Sequence, residues 1–234
     1  MFELTSADAE HDRTAARDAT VLRLDGIVKS WRGVPVLTAI EVHLDAGTTL
    51  AISGANGAGK TTLLRIAAGL ITPERGSVSV CGLGPEGDRT EFHRRIGFLS
   101  AGNTGLYARL KAEHHLELWS RLALMPKLAR GPAIERAIEM FGLRELCGRR
   151  VDRLSMGQRQ RLRLALAFVH EPIVVLLDEP ATSLDEHGIA AVQTGLDDLK
   201  GRGGAAVVCL PSGWEQLLSV DRQEVLRGGR LEPG

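Results

Sequence analysis

The sequence has little cysteine, no net charge and no long apolar run, and each shortage removes a class of protein. Its three cysteines, Cys81, Cys147 and Cys209, are scattered along 234 residues and form no C-x-x-C pair. This argues against a disulfide framework or a cysteine-ligated metal site and predicts reduced, mostly structural thiols. Lys plus Arg and Asp plus Glu both number 29, which gives a formal net charge of zero. That balance excludes a general attraction to nucleic acid or to an anionic membrane surface.

The apolar stretches are too short to cross a membrane. Residues 164–169 and 205–210 are among the longest, whereas a membrane-spanning helix needs about 20 apolar residues. The first residues are polar and lack the apolar segment of a signal peptide. We therefore expect residues 1–18 to be a disordered tail and residues 19–234 to form one domain. Any membrane-spanning partner would be a separate chain.

One glycine-rich stretch stands out against these absences. Residues 54–62 read G-A-N-G-A-G-K-T-T, which fits the pattern G-x-x-x-x-G-K-[ST]. An apolar, strand-like segment at 49–53 precedes it, and a helix-like run at 62–68 follows. Strand, glycine-rich loop and helix in that order are the context of a phosphate-binding loop. The predicted phosphate-binding residues are Gly54, Asn56, Gly57, Ala58, Gly59, Lys60, Thr61 and Thr62.

The chemistry of such a loop depends on its backbone and on two side chains. Glycines let the chain wrap tightly with N–H groups pointing inward, and the helix N-terminus adds the positive end of its dipole. Lys60 supplies a point charge for the outer phosphates, which gives it a catalytic role, and the Thr61 hydroxyl is a ligand for Mg²⁺. The alternative is a glycine-rich turn before an ordinary helix.

A second segment supplies the carboxylates that a nucleotide site requires. Residues 173–177 form an unbroken apolar run, typical of a strand buried on both faces of a parallel sheet, and Asp178, Glu179 and Pro180 follow it. A carboxylate at the end of such a strand lies beside the phosphate crevice, so Asp178 is predicted to hold Mg²⁺. Glu179 is predicted to orient or deprotonate the attacking water. The alternative is an acidic turn that closes a core strand.

Between these motifs, residues 154–158 read L-S-M-G-Q and precede a helix-like run with an apolar stripe. With the two flanking motifs, the chain resembles the ATP-binding subunits of ABC transporters over nearly all of its length after about residue 20. The segment is similar to their signature motif, with Met156 in place of its first glycine. The resemblance implies that Ser155, Gly157 and Gln158 contact the γ-phosphate of an ATP held on the opposite subunit. A serine-capped helix with a glycine nearby is the structural alternative.

The resemblance also implies a fold, ligands and partners. The implied fold is α/β: a P-loop NTPase core with a parallel sheet, an antiparallel β subdomain and a helical subdomain inserted at about 102–168. Trp31 is expected to stack on adenine, although a core position is the alternative. The implied ligands are ATP and Mg²⁺. The implied partners are a second ATP-binding subunit, identical or different, and a separate transmembrane subunit of an exporter, with no nucleic acid. Such a chain would be cytoplasmic and peripheral on the inner face of the cell membrane.

Two positions depart from the family pattern. Ala101 stands where the family has a glutamine that reaches the Mg²⁺ and the attacking water, although Asn103 lies close. Pro211 stands where the family has a histidine, and proline has neither a titratable group nor an N–H. We therefore expect ATP to bind well and to be hydrolysed slowly. The alternative is a non-hydrolysing, ATP-sensing regulatory protein, or the degenerate half of a heterodimer.

A loop upstream of the signature segment is the last feature that the resemblance singles out. Residues 103–111, with Tyr107 among them, are similar to the surface on which export-type ABC subunits dock their membrane partner. The alternative is a loop that simply leads into a helix. His114 and His115 follow it, and because neighbours on a helix point apart, a surface position is expected for them rather than a metal site.

Overall fold

The computed structural model describes residues 20–102 and 104–234. The tail predicted for residues 1–18, and Asn103, lie outside the described residues. In chain order the strands and helices are β1 (Thr20–Trp31), β2 (Val34–Asp45), β3 (Thr49–Ser53), α1 (Lys60–Ala67), β4 (Arg75–Val80), α2 (Arg89–Arg94), β5 (Ile96–Leu99), α3 (Ala112–Leu122), α4 (Lys127–Met140), α5 (Met156–Phe168), β6 (Val174–Asp178), α6 (Glu186–Gly201), β7 (Ala205–Cys209), β8 (Arg222–Arg227) and β9 (Arg230–Pro233).

The strands form two sheets. A three-stranded antiparallel sheet has the order β2-β1-β4, and a six-stranded sheet has the order β5-β6-β7-β3-β8-β9. In the larger sheet all neighbouring pairs are parallel except β8 and β9. This arrangement confirms the predicted P-loop core with a parallel sheet and a separate antiparallel β region.

The sequences of β3, β6 and β7 explain their central places. Every residue of these three five-residue strands is buried, which fits their almost uniformly apolar character, because helices cover both faces of a parallel sheet. Parallel strands end at the same edge, and the register pairs Ile52 with Cys209 and Cys209 with Asp178. The glycine-rich loop after β3 therefore starts beside the carboxylate that ends β6.

The hairpin between β1 and β2 places an aromatic side chain at its tip. Arg32 and Gly33 both have positive φ values, 52° and 80°. Two consecutive left-handed residues form the turn that matches the twist of a two-residue hairpin. Trp31 and Val34, which flank this turn, are paired across the hairpin.

The chain between β5 and β6 is mainly helical and packs on the core sheet through α5. Leu162, Ala165 and Val169 of the predicted stripe are each at most 1% exposed. The rings of Phe141 and Phe168 lie 5.3 Å apart between centroids and join the end of α4 to the end of α5. Helix α4 begins at Lys127, so that Pro132 lies inside it. Among the described residues, no helix combines the length and the apolar content that crossing a membrane requires.

Candidate functional site

The glycine-rich loop joins the buried end of β3 to the first residue of α1. Gly59 is the N-cap of α1 and has a φ of 109°, a left-handed value that side chains rarely adopt. A Cβ atom at Gly59 would lie 2.9 Å from the Val36 side chain on β2. Glycine is therefore required here both by the backbone conformation and by the close approach of the hairpin.

Lys60 and Thr61, the first two residues of α1, are held by short contacts. The Lys60 side chain is 6% exposed, and its Nζ donates to the carbonyl oxygens of Gly54 at 2.5 Å and Ala55 at 3.2 Å. The Thr61 hydroxyl donates to an oxygen of Asp178 at 2.7 Å. Two residues 117 positions apart in the sequence are thus brought into direct contact.

The end of β6 carries the two predicted carboxylates. Asp178 is 2% exposed and is the last residue of the strand. Glu179 has a φ of 51°, and its N–H donates to the Cys209 carbonyl oxygen at 3.0 Å. A non-glycine residue in the left-handed region costs about 1–2 kcal/mol, so the fold holds Glu179 in a strained backbone conformation.

These side chains border an open cavity of about 350 Å³. Its lining combines the tip of the hairpin, the glycine-rich loop and one of the two carboxylates. The residues that line it are Trp31, Val36, Asn56, Gly57, Gly59, Lys60, Thr61, Thr62 and Glu179. Asp178 lies behind this wall and contacts it through Thr61.

Trp31 is an exposed wall of the cavity and not a core residue. Its side chain is 48% exposed, and the Lys29 ammonium lies 4.9 Å from the ring centroid. An exposed indole beside a cation presents one flat face to a ligand and is stabilised on its other face.

The signature segment forms the start of α5, away from this cavity. Ser155 is the N-cap: its side chain accepts from the Gln158 N–H at 3.2 Å, and the Gln158 side chain accepts from the Ser155 N–H at 3.0 Å. This is a capping box, so both side chains are engaged in capping the start of the helix. None of Ser155, Gly157 and Gln158 lines the cavity. Met156 is 55% exposed.

Gly157 is where the start of α5 meets the segment after Glu179. A Cβ atom there would lie 2.8 Å from the Ser183 carbonyl oxygen. The glycine thus permits a backbone approach that any other residue would disturb. The carboxylate of Asp185, two residues further on, accepts from the Gly188 N–H at 2.8 Å and caps α6.

The two positions expected to depart from the family pattern lie just after strand ends. Ala101 comes two residues after β5, and Pro211 comes two residues after β7. Neither side chain has a polar atom to offer a phosphate or a water molecule. Ser100, beside Ala101, has its hydroxyl 3.3 Å from that of Thr104.

The expectation that His114 and His115 lie on the surface is wrong for His115. Its ring is completely buried: Nε2 accepts from the Tyr107 N–H at 2.9 Å, and Nδ1 lies 3.0 Å from the Lys111 carbonyl oxygen. Burial lowers the pKa of His115, the bond to Lys111 raises it by less, and the charge of His114 lowers it further. The buried histidine shapes the loop that carries Tyr107, which is 62% exposed.

Sequence reasoning also missed two buried polar residues on α5. Gln160 and Arg163 are each 5% exposed and make hydrogen bonds to the segments on either side of the helix. The sequence gives little signal of their burial, because most glutamine and arginine side chains on a helix are exposed.

Comparison with protein families matches most of the chain to one known group. A family model described as "ABC transporter" matches residues 37–182. The ABC transporter ATP-binding protein NatA of Bacillus subtilis is 38% identical over 152 residues, which cover 65% of this chain and 62% of NatA. The uncharacterized ABC transporter ATP-binding protein YhcH of the same organism is 33% identical over 213 residues, 91% of this chain and 68% of YhcH. This chain thus spans about two thirds of the length of these relatives.

Solved structures have the same fold at lower sequence identity. An ATP-binding subunit of an ABC transporter superposes with a TM-score of 0.82 at 24% identity, covering 91% of this chain and 88% of that one. A dimeric ATP-binding cassette in a post-hydrolysis state, bound to ADP and Pi, superposes with a TM-score of 0.77 at 23% identity. That match covers 90% of this chain and 96% of the other.

Proposed function

Since this chain belongs to the ABC transporter ATP-binding family, we propose that it binds and hydrolyses ATP to drive transport by a separate membrane-spanning subunit. The observation that carries the proposal is the contact of 2.7 Å between the Thr61 hydroxyl and Asp178. It joins the start of α1 to the end of β6 beside a cavity that Glu179 also lines. A loop that cradles phosphates, two metal-binding oxygens and a general base then share one site.

The phosphates of ATP would be held by the loop and by Lys60. The ammonium group now donates to two loop carbonyl oxygens, and phosphate oxygens are stronger acceptors for it because they are charged. The backbone N–H groups at the start of α1 lie at the positive end of the helix dipole. The Trp31 ring is exposed at the outer wall, where it would stack on adenine.

The residues present fit a bound Mg²⁺ ion. The hydroxyl of Thr61 and the carboxylate of Asp178 are hard oxygen donors, which this ion prefers, and they already lie within hydrogen-bonding distance. Bound Mg²⁺ neutralises the charge that develops on the phosphate oxygens during phosphoryl transfer. Glu179, partly exposed at the cavity wall, would orient or deprotonate the attacking water.

The signature segment would act on a second nucleotide. Ser155 and Gly157 are at the N-terminus of α5 and away from this chain's own cavity, which suits a role in completing the site of an opposing subunit. The dimeric ATP-binding cassette described above supports such an assembly as a family arrangement. We place the exposed Tyr107 loop against a membrane subunit, with the chain peripheral on the cytoplasmic face.

A specific observation favours slow turnover, and with it a second candidate function. Ala101 and Pro211 provide no polar side-chain atom at positions where the family has glutamine and histidine. Positioned proton-transfer groups contribute about 10²–10⁴ in rate, and one preorganised donor contributes about 10²–10³. Without them, the chain could serve as an ATP-sensing switch or as the weaker half of a heterodimer.

The deciding experiment is ATP hydrolysis by the purified chain and its Glu179→Gln variant, with nucleotide affinity measured in parallel. The proposal predicts slow turnover that the substitution reduces at least about 100-fold, with Kd for Mg·ATP within a few-fold of the wild-type value. The matched control is Glu86→Gln, which changes an exposed glutamate outside the cavity. Tight ATP binding without Glu179-dependent turnover would contradict the ATPase proposal and support the ATP-sensing alternative.

A further inference from the structure

Arg163 is a buried cation between helix α5 and the chain that follows β5. All three of its nitrogens donate hydrogen bonds: Nε to the Thr104 carbonyl oxygen at 3.0 Å, Nη2 to the Ser100 carbonyl oxygen at 2.6 Å and Nη1 to Gln160 Oε1 at 2.8 Å. Nη2 also lies 3.4 Å from the Ser100 hydroxyl. The guanidinium therefore holds both ends of the short loop that contains Ala101.

Gln160 continues the connection to the other side of the helix. Its side chain is 5% exposed, and its Nε2 donates to the Pro180 carbonyl oxygen at 2.9 Å. Pro180 directly follows Glu179, the proposed general base. An unbroken series of hydrogen bonds thus runs from the loop around Ala101, through Arg163 and Gln160, to the residue beside Glu179.

The volume that the Arg163 side chain fills does not explain why an arginine occupies this buried position. Its hydrogen-bonding partners are neutral oxygens, with no carboxylate among them. Burial lowers the pKa of this guanidinium, which reflects the cost of removing the charge from water. Because an apolar side chain would fill the same volume without that cost, the donors of Arg163 are its useful feature. Their fork geometry fixes three acceptors relative to one another.

We propose that Arg163 is a positioning residue that couples the loop around Ala101 to Glu179 through Gln160 and Pro180. The proposal rests on the proposed function, because Glu179 has its stated role only in ATP hydrolysis. The same loop leads to the exposed Tyr107, so the connection joins the proposed docking surface to the site of hydrolysis. Ala101 has no side-chain amide that could reach the site directly. The coupling therefore runs through the side chains of Arg163 and Gln160 on α5.

Steady-state kinetics test the positioning role. Arg163→Ala is expected to lower kcat about tenfold while KM and the Kd for Mg·ATP stay within about twofold, because the nucleotide contacts are intact and only the base is misplaced. Arg163→Lys retains the charge but loses the fork and is expected to be intermediate. Gln160→Ala should match Arg163→Ala, and the double variant should be no worse than either, because members of one connection are non-additive.

The matched control is Arg161→Ala on the same helix. Arg161 donates to the Gly142 carbonyl oxygen and to Glu145, so it ties α5 to a different segment. Its removal costs the helix a comparable set of hydrogen bonds without touching the loop around Ala101. Its kcat is expected to remain within about twofold of the wild-type value.

Hydrogen–deuterium exchange of the nucleotide-free chain tests the connection without any turnover. Arg163→Ala should raise amide exchange several-fold in the peptide covering residues 98–106 and also in the peptide covering 179–185, whereas Arg161→Ala should change neither. Faster exchange at 98–106 alone would overturn the proposal, because Arg163 would then only pin its own loop. A uniform increase over the whole chain would also overturn it, because the effect would then be general destabilisation.

The two proposals fail in different ways. If Glu179→Gln leaves turnover unchanged, the chain does not use Glu179 for hydrolysis, and the exchange data alone decide whether the two segments are coupled. If Glu179→Gln abolishes turnover but Arg163→Ala has wild-type kcat, the ATPase proposal stands and the positioning role of Arg163 is wrong.

Discussion

Lys60 and Asp178 are charged side chains held almost entirely out of water within the glycine-rich site. Each has a neutral hydrogen-bonding partner in this structure, loop carbonyl oxygens for Lys60 and the Thr61 hydroxyl for Asp178. Burying a charge is unfavourable unless hydrogen bonds or an opposite charge compensate it. The phosphates of ATP would compensate Lys60, and Mg²⁺ would compensate Asp178. Trp31 differs from both, because its side chain is uncharged and about half exposed.

We expect Trp31→Ala to weaken ATP affinity by about 5- to 150-fold, since one base–aromatic stacking contact contributes roughly 1–3 kcal/mol. Calorimetric titration with Mg·ATP would measure this change. Trp214→Ala is the matched control: Trp214 is 41% exposed and does not line the cavity. Equal effects of the two substitutions on affinity would refute the stacking role of Trp31.

Helices α5 and α3 each make specific contacts with a neighbouring segment of the chain. The start of α5 is closed by its capping box and approaches the Ser183 backbone through Gly157. Helix α3 buries His115, whose ring fixes the Tyr107 loop. The contacts of His115 order a loop beside α3, and loops of that kind carry binding and catalytic groups.

Gly157→Ala is expected to destabilise the fold by about 1–3 kcal/mol, because the new methyl group would stand 2.8 Å from the Ser183 carbonyl oxygen. Gly201→Ala, in the last turn of α6 with open space around the added atom, should instead stabilise by about 0.5–1 kcal/mol. Urea denaturation of both variants would measure the difference. Stabilisation by both substitutions would mean that the α5–Ser183 approach is looser than described.

Acidification is expected to release the Tyr107 loop. Burial lowers the pKa of His115 in the folded protein below its usual value of about 6.5. The neutral ring therefore contributes stability at pH values above about 6.5, and this contribution is lost as the pH falls through the lower, folded pKa. Protonation would also place a hydrogen on Nε2, which accepts from Tyr107.

The measurement is the difference in melting temperature between the wild-type chain and His115→Gln from pH 8 to pH 5. That difference should be largest near pH 8 and shrink as the pH falls. A difference that stays constant over the whole range would contradict the titration of His115.

The molecule as a whole brings three distant segments to one edge of its larger sheet. The ends of β3, β6 and β7 lie side by side, which places the glycine-rich loop, the two carboxylates and the segment of Pro211 together. The signature segment remains outside this edge, because it starts a helix on the side of the helical region. Under the proposed function, a single chain would hold two incomplete halves of a nucleotide site, which two chains would complete.

We expect Glu179→Gln to form a dimer in saturating Mg·ATP, because a nucleotide that cannot be hydrolysed would keep the interface closed. Light scattering after size-exclusion chromatography should then give twice the mass of the 25.2 kDa chain. The Glu179→Gln chain that also carries Met156→Arg, at the exposed start of α5, should remain monomeric under the same conditions. A monomeric Glu179→Gln chain with bound ATP would favour a heterodimer with a different ATP-binding subunit.

The local sequence was sufficient to predict the glycine-rich loop and the strand that ends at Asp178, and it offered the capped start of α5 as an alternative. These features depend on neighbours in the chain: glycine alone fits the left-handed turn at Gly59, and the serine and glutamine of a capping box lie three residues apart. The fold class came from the resemblance that these motifs carry to the ATP-binding subunits of ABC transporters. The differences expected at Ala101 and Pro211 also came from the sequence, because they depend only on the residue type at each position.

Only the tertiary structure decided which polar residues are buried and what they connect. Arg163 bonds to backbone atoms 59 and 63 positions away, and the apolar stripe of α5 does not show which loop will cover its remaining face. His115 was expected at the surface because adjacent histidines on a helix point apart and cannot form a metal site, yet the Tyr107 loop folds over it. Such contacts are set by the packing of whole elements, where the cost of burial is balanced against long-range hydrogen bonds that no local pattern encodes.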